Sequence, residues 1–356
     1  MFDRRSFLRS LFGMTAGLAV GRPVLGQAVT ASESATEATT PAAGALPPTE
    51  DRLGKLLPMR RLGRTDEWVT SLGFGGSHMM HEGQSEAQSA ALIEASLEEG
   101  IRFFDTAQQY GWGESERRMG KSLTPKYRDV IYLMTKTQAR ERGRALRDMD
   151  ECRKRLNVDV IDLMQIHHIE SPAEVDRLVD NGVVDVLLEA REQGKIRHLG
   201  FTGHDSPDAH LRMLERLGQI GVDFDTVQMP MNIVDPSYES FIVKVLPKLI
   251  ERDYGVLAMK TLVFGQITGR DSGWRGRNRQ TPKVVPDLIS LEDALGFVWS
   301  LPVSTLISGM PRVPMIRQNA AIARAEPHLD EAQRMALIEK AAEFSGPRVE
   351  FYKTEV

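Results

Sequence analysis

The feature that most constrains this chain is an alternation. Eight short apolar runs of strand length are each followed by a longer stretch of helical character. The runs are VTSLGFGG (69–76), IRFFD (101–105), VIYLMTK (130–136), VIDLMQIH (160–167), IRHLGFTG (196–203), TVQMPMN (226–232), GVLAMKT (255–261) and VSTLISG (303–309). Helix candidates between and after them include 85–100, 143–157, 174–194, 291–300 and 330–344. Ser85 offers a start signal, and Gly100 and Gly194 offer stop signals. Eight strand–helix units over roughly 260 residues predict an α/β fold of the (β/α)8, or TIM-barrel, type. A doubly wound sheet is the competitor, but no strand runs into a G-x-G-x-x-G turn. The nearest stretch, GFGGSH (73–78), does not match.

In such a barrel, functional groups project from the C-terminal ends of strands. The second run ends at Asp105 and continues into FFDTAQQYGWGESE (103–116), which carries Tyr110. The third ends at Lys136, and the fourth at His167 and His168. Each residue alone has a structural reading: a capping carboxylate, a packed phenol, a solvated ammonium, a hydrogen-bonded imidazole. Together they place an acid, a phenol, an amine and an imidazole on one rim. A free phenol has a pKa of about 10. An ammonium beside it favours the phenolate and is expected to lower that value. A carboxylate holds the ammonium in place, and an imidazole can orient a substrate oxygen. That set delivers a proton to a developing alkoxide. Side chains cannot supply the hydride that must accompany it, whereas a nicotinamide can.

The chain begins with DRRSFLRS, which carries Arg4 and Arg5, followed by the moderately apolar LFGMTAGLAVG. That run is too short for a comfortable membrane span, and small residues near Ala28 suit cleavage. Residues 1–28 resemble a twin-arginine export signal. This implies passage of a folded protein through the twin-arginine (Tat) translocase to the periplasm. Residues 29–56 read as a flexible linker, because they have too few large apolar side chains to offset ordering entropy. The folded domain is expected over 57–350. The net charge of −4 gives no basic field for nucleic acid. The single cysteine, Cys152, excludes an internal disulfide and any multi-cysteine metal site. A metal-dependent hydrolase using His167 and His168 lacks the further ligands such barrels need, so no metal is expected.

From about Arg60 to Arg324 the chain resembles the aldo-keto reductase family. The resemblance rests on LGRTDEWVTSLGFGG, GIRFFDTAQQYGWGESERRMGKSL, DLMQIHH and GKIRHLGFTGH. It implies a catalytic set of Asp105, Tyr110, Lys136 and His167, with Tyr110 as proton donor. His168 then lines the pocket, along with Trp112, His78, Met79 and Trp274. It further implies an NADPH site, with NADH as the alternative, and a small carbonyl compound as substrate. The cofactor residues implied are Thr202, Gly203, Gln228, Lys260, Thr261, Gly309, Arg312, Gln318 and Asn319. Two positions depart from the family pattern. Gly203 stands where an asparagine usually holds the carboxamide, with His204 next to it, and Met315 stands where an arginine is common. The rival to an enzyme is a nucleotide-binding regulatory or scaffold barrel, against which the presence of all four catalytic residue types argues. The sequence is silent on oligomeric state.

Overall fold

The computed structural model describes residues 46–80, 84–268 and 289–353. The export-signal reading, most of the linker and Trp274 lie outside the described residues. All eight expected strands form. They are β1 (Leu72–Gly75), β2 (Phe103–Asp105), β3 (Tyr132–Thr137), β4 (Ile161–Ile166), β5 (Ile196–Thr202), β6 (Thr226–Pro230), β7 (Gly255–Met259) and β8 (Thr305–Ser308). Each pairs in parallel with its neighbours, and β8 closes onto β1. The fold is therefore the closed (β/α)8 barrel.

The helices of nine or more residues are α1 (Glu86–Glu98), α2 (Glu114–Ser122), α3 (Arg142–Leu156), α4 (Pro172–Asp180), α5 (Val183–Glu192), α6 (Pro207–Gln219), α7 (Leu291–Trp299), α8 (Val313–Arg324) and α9 (Glu331–Ala341). Ser85 caps α1 in a capping box with Gln88, as its position suggested. The stretch 174–194, expected as one helix, is two. The chain turns at Asn181 and Gly182, and Gly182 adopts a left-handed φ of 75°. Apolar periodicity continues across that break and conceals it.

Strand parity explains where polar groups appear. Phe103, Tyr132, Met134, Leu163, Leu257 and Ile307 form a cluster inside the barrel with Leu62 and Val69. The last two belong to a hairpin, Met59–Arg61 with Trp68–Thr70, that closes the N-terminal end. Phe104, Leu133, Met164 and Phe201 alternate with the interior residues and face the surrounding helices in the main core. Two residues beyond Phe103 is Asp105. Two beyond Met134 is Lys136, and four beyond Leu163 is His167. The interior face thus turns from apolar to polar at the strands' C-terminal ends.

The linker ends earlier than expected. Residues Glu50–Asp51 pair with Gly54–Lys55, and Asp51 holds the buried Arg102 through two hydrogen bonds of 2.6 and 2.9 Å. No described helix is long and apolar enough to cross a membrane.

Candidate active site

Asp105, at the end of β2, and Lys136, on β3, are both buried and form an ion pair. Lys136 also donates to the Thr106 carbonyl at 2.9 Å and stands 3.3 Å from Tyr110 Oη. The Tyr110 and His167 rings meet edge to face with centroids 5.8 Å apart. The structure therefore brings together all four residues of the expected catalytic set.

The loop carrying Tyr110 is held by buried polar contacts. Thr106 Oγ1 donates to Ser115 Oγ at 2.7 Å, and Ser115 Oγ donates to the Gly76 carbonyl at 3.0 Å. Asp148, on α3, accepts from Gln108 Nε2 at 2.7 Å and from Thr137 Oγ1 at 2.8 Å, which joins the loops after β2 and β3. Arg140 donates to the carbonyls of His167 and His168 at 2.9 and 2.8 Å. Sequence reasoning did not find Arg140 or Asp148. Neither sits at a strand end, and no local pattern separates Arg140 from an ordinary loop charge or Asp148 from an ordinary helix-face charge.

The electrostatics correct one expectation. The Tyr110 phenol is not drawn below its usual pKa. Burial first, and the Asp105 charge second, hold it well above. Tyr110 therefore keeps its proton at neutral pH. Burial raises Asp105, partly offset by Lys136 and by the Gln228 amide. Burial likewise lowers Lys136, partly offset by Asp105. His167 is held well below its usual value by burial and then by the Lys136 charge, so its ring is neutral. Its buried Nδ1 has no hydrogen-bond partner among the described residues.

The expected cofactor residues divide into two groups. Thr202 and Gln228 are register partners on β5 and β6, and both are buried. Gln228 Oε1 and Thr261 Oγ1 are buried without a partner among the described residues, so each can serve a bound molecule. Those unsatisfied atoms fit a nicotinamide nucleotide at the barrel mouth. Gly203 fits closely against its neighbours: a Cβ there would lie 2.4 Å from the Ile169 carbonyl oxygen. Packing around Gly203 therefore leaves no room for an asparagine side chain. Lys260 Nζ lies 4.7 Å from the Phe264 ring centroid and 5.6 Å from that of Tyr352. In the second group, the loop from Gly309 leads to Arg312, the N-cap of α8. Arg312 and Gln318 are exposed, whereas Asn319 is buried and donates to Ser308 Oγ at 2.9 Å. Helix N-termini suit phosphate because their first N–H groups lack partners.

Among the expected pocket residues, Trp112 is 89% exposed, beside Tyr110 on its loop. The His78 ring occupies the space over Gly309. Met79 is fully buried and so belongs to the core rather than to a pocket wall. His168 lies not against a pocket wall alone but in a cluster with His204 and Asp205.

Comparison with known proteins agrees with this geometry. The model of the aldo/keto reductase family matches residues 71–306. The chain is 28% identical over 224 residues to L-galactose dehydrogenase of Arabidopsis thaliana, covering 60% of this chain and 67% of that one. It is 28% identical to the aldo-keto reductase YhdN of Bacillus subtilis, covering 54% and 57%. It is 33% identical to 6-dehydroglucose reductase of Novosphingobium aromaticivorans, covering 40% and 50%. The matched region thus spans only half to two thirds of these relatives. Among solved structures, the holo form of aldo-keto reductase AKR11C1 from Bacillus halodurans superposes with a TM-score of 0.66 at 21% identity, covering 82% of this chain and 97% of that one. That likeness is one of fold. With the family model covering most of the barrel and oxidoreductases among its relatives, this chain belongs to the aldo/keto reductase family.

Proposed function

We propose that the protein is an NADPH-dependent carbonyl reductase in which Tyr110 gives the proton to the substrate oxygen. One observation carries this reading. Lys136 Nζ is paired with buried Asp105 and stands 3.3 Å from Tyr110 Oη, beside the His167 ring. The nucleotide, when bound, supplies the hydride. Tyr110 holds its proton until a more basic alkoxide oxygen develops next to it. Lys136 then stabilises the phenolate that Tyr110 leaves behind. His167, being neutral, hydrogen-bonds the carbonyl oxygen and orients it. Thr202 and Gln228 hold the carboxamide. Lys260, Thr261, Gly309, Gln318 and Asn319 hold the rest of the nucleotide. Arg312 favours NADPH over NADH, because a guanidinium can take the extra phosphate through two hydrogen bonds. Similarity to proteins named for L-galactose and 6-dehydroglucose makes small polyhydroxylated carbonyl compounds the first substrates to assay, in both directions.

The test is Tyr110→Phe. Carbonyl reduction should fall by roughly 10²–10⁴-fold, the usual worth of general acid catalysis. NADPH affinity should stay within a few-fold, since the nucleotide rests on other residues. A phenylalanine variant that reduces carbonyls at near the normal rate would overturn the assignment. We also propose that the protein is exported folded to the periplasm through its twin-arginine signal. Replacing Arg4 and Arg5 by lysine keeps the charge but removes the planar guanidinium forks. The variant should collect unprocessed in the cytoplasm, and normal processing in a cell-fractionation assay would refute the route.

A further inference from the structure

We propose that His168, His204 and Asp205 form a mononuclear binding site for a divalent transition metal of the zinc type, on the same rim as the catalytic set. The three come from two separate loops. His168 follows β4, and His204 and Asp205 follow β5. One ligand atom from each lies within 4.8 Å of the others. Asp205 Oδ2 is 2.7 Å from His168 Nε2 and 3.1 Å from His204 Nδ1; the latter nitrogen also faces the Tyr352 carbonyl at 3.1 Å, so the His204 ring would ligate through Nε2. The two histidine rings are 4.4 Å apart at 35°.

The contact between His168 and Asp205 is the telling one. His168 Nε2 and Asp205 Oδ2 are both buried, and neither has a hydrogen-bond partner among the described residues. They approach to 2.7 Å, yet the pair does not adopt hydrogen-bond alignment. On the other side of the ring, His168 Nδ1 faces Glu170 Oε1 at 3.3 Å. With the ring proton on Nδ1, toward that carboxylate, Nε2 carries a lone pair that can ligate a metal. That lone pair and the Asp205 oxygen are close enough for one metal ion, seated beside them rather than between them, to bind both. A proton on Nε2 satisfies the pair only with hydrogen-bond alignment, which is lacking here, whereas a metal ion bound to both atoms does so in the arrangement seen.

Three features favour the metal. Two imidazoles and a carboxylate are the donor set of three-ligand zinc sites, which keep a fourth position open for water or another oxygen. The carboxylate behind His168 is the outer-shell partner such ligands usually have. His168 is also held in a costly backbone conformation, φ 60°, with its carbonyl taken by Arg140 at 2.8 Å. That conformation aims the ring toward the loop after β5.

Zinc binding by the full-length protein tests this directly. Protein purified without chelators should carry one zinc per chain by mass spectrometry. After chelator treatment it should take up one Zn²⁺ per chain by calorimetry. Co²⁺ should bind in its place with visible absorption of a four-coordinate ion. Asp205→Asn and His168→Ala should abolish uptake. Glu170→Gln, which loosens only the outer partner, should weaken it by about 10–100-fold. Circular dichroism establishes that the variants fold. Should a variant not fold, nitrogen-15 spectra of the wild-type histidines decide the question. Zinc should shift the His168 Nε2 resonance to that of a metal-bound nitrogen. A His168 ring carrying protons on both nitrogens and unmoved by zinc would overturn the proposal, as would uptake unaffected by Asp205→Asn. None of these readouts involves turnover, so their failure leaves the role of Tyr110 untouched.

Discussion

Lys136 couples fold and chemistry at the scale of a single residue. Its ammonium neutralises Asp105 inside the protein, and both side chains are almost fully enclosed. Removing one partner of such a pair leaves an uncompensated buried charge. Lys136→Met should therefore lower stability by about 3–5 kcal/mol, the usual cost of breaking a buried pair. Lys136→Met combined with Asp105→Asn should recover much of that loss, because no lone charge remains. Urea unfolding of the two variants would check this, and equal losses in both would contradict it. On the proposed role of Tyr110, neither variant should approach wild-type turnover, since the phenolate would have lost its partner.

At the scale of elements, the barrel floor is joined by charge. His198 on β5 lies 3.7 Å from Glu67 of the closing hairpin and 3.6 Å from Asp225, which precedes β6. Burial alone would lower the imidazole, but the nearby Asp225 and Glu67 carboxylates outweigh it and raise the pKa above 6.5. A raised histidine stabilises the fold fully below its unfolded value and loses that contribution as pH rises through the folded one. His198→Gln should therefore cost on the order of 1 kcal/mol at pH 6 and clearly less at pH 9. Denaturant midpoints at the two pH values would show it, and a pH-independent difference would refute the pairing.

At the scale of the whole molecule, the described chain ends by returning to the barrel mouth. Lys353, fully buried, meets Asp235 at 2.8 Å and Glu350 at 2.5 Å. Asn232 donates to Tyr352 Oη at 3.0 Å, and the Tyr352 carbonyl lies 3.1 Å from His204 Nδ1. This segment thus joins the loop after β6 to the loop after β5. Lys353→Met should cost about 3–5 kcal/mol by stranding two carboxylates. Burial raises Glu350 to about 7, so its ionisation opposes folding as pH rises through that value. The loss in the methionine variant should be greater at pH 8 than at pH 6. Thermal unfolding at both would test this, and a loss no larger at pH 8 would count against it.

The barrel was legible in the sequence because strand and helix each write a period into the chain. Eight apolar runs in regular alternation leave few other ways to bury them. The grouping of the candidate site was legible for the same reason: Asp105, Lys136 and His167 lie at or just beyond strand ends, and strand ends of a barrel converge. Helix breaks were less visible. Gly182 interrupts 174–194 through backbone conformation, while the apolar pattern runs on. What only the tertiary structure decided depends on distance along the chain. The rise of the Tyr110 pKa comes from burial, which no local pattern encodes. Gly203 is required by the Ile169 carbonyl, 34 residues earlier, and Tyr352 meets His204 across 148 residues. Lone-pair and charge contacts such as His168 with Asp205 arise only when separate loops are brought within about 3 Å, the range over which a hydrogen bond or a metal ligand acts.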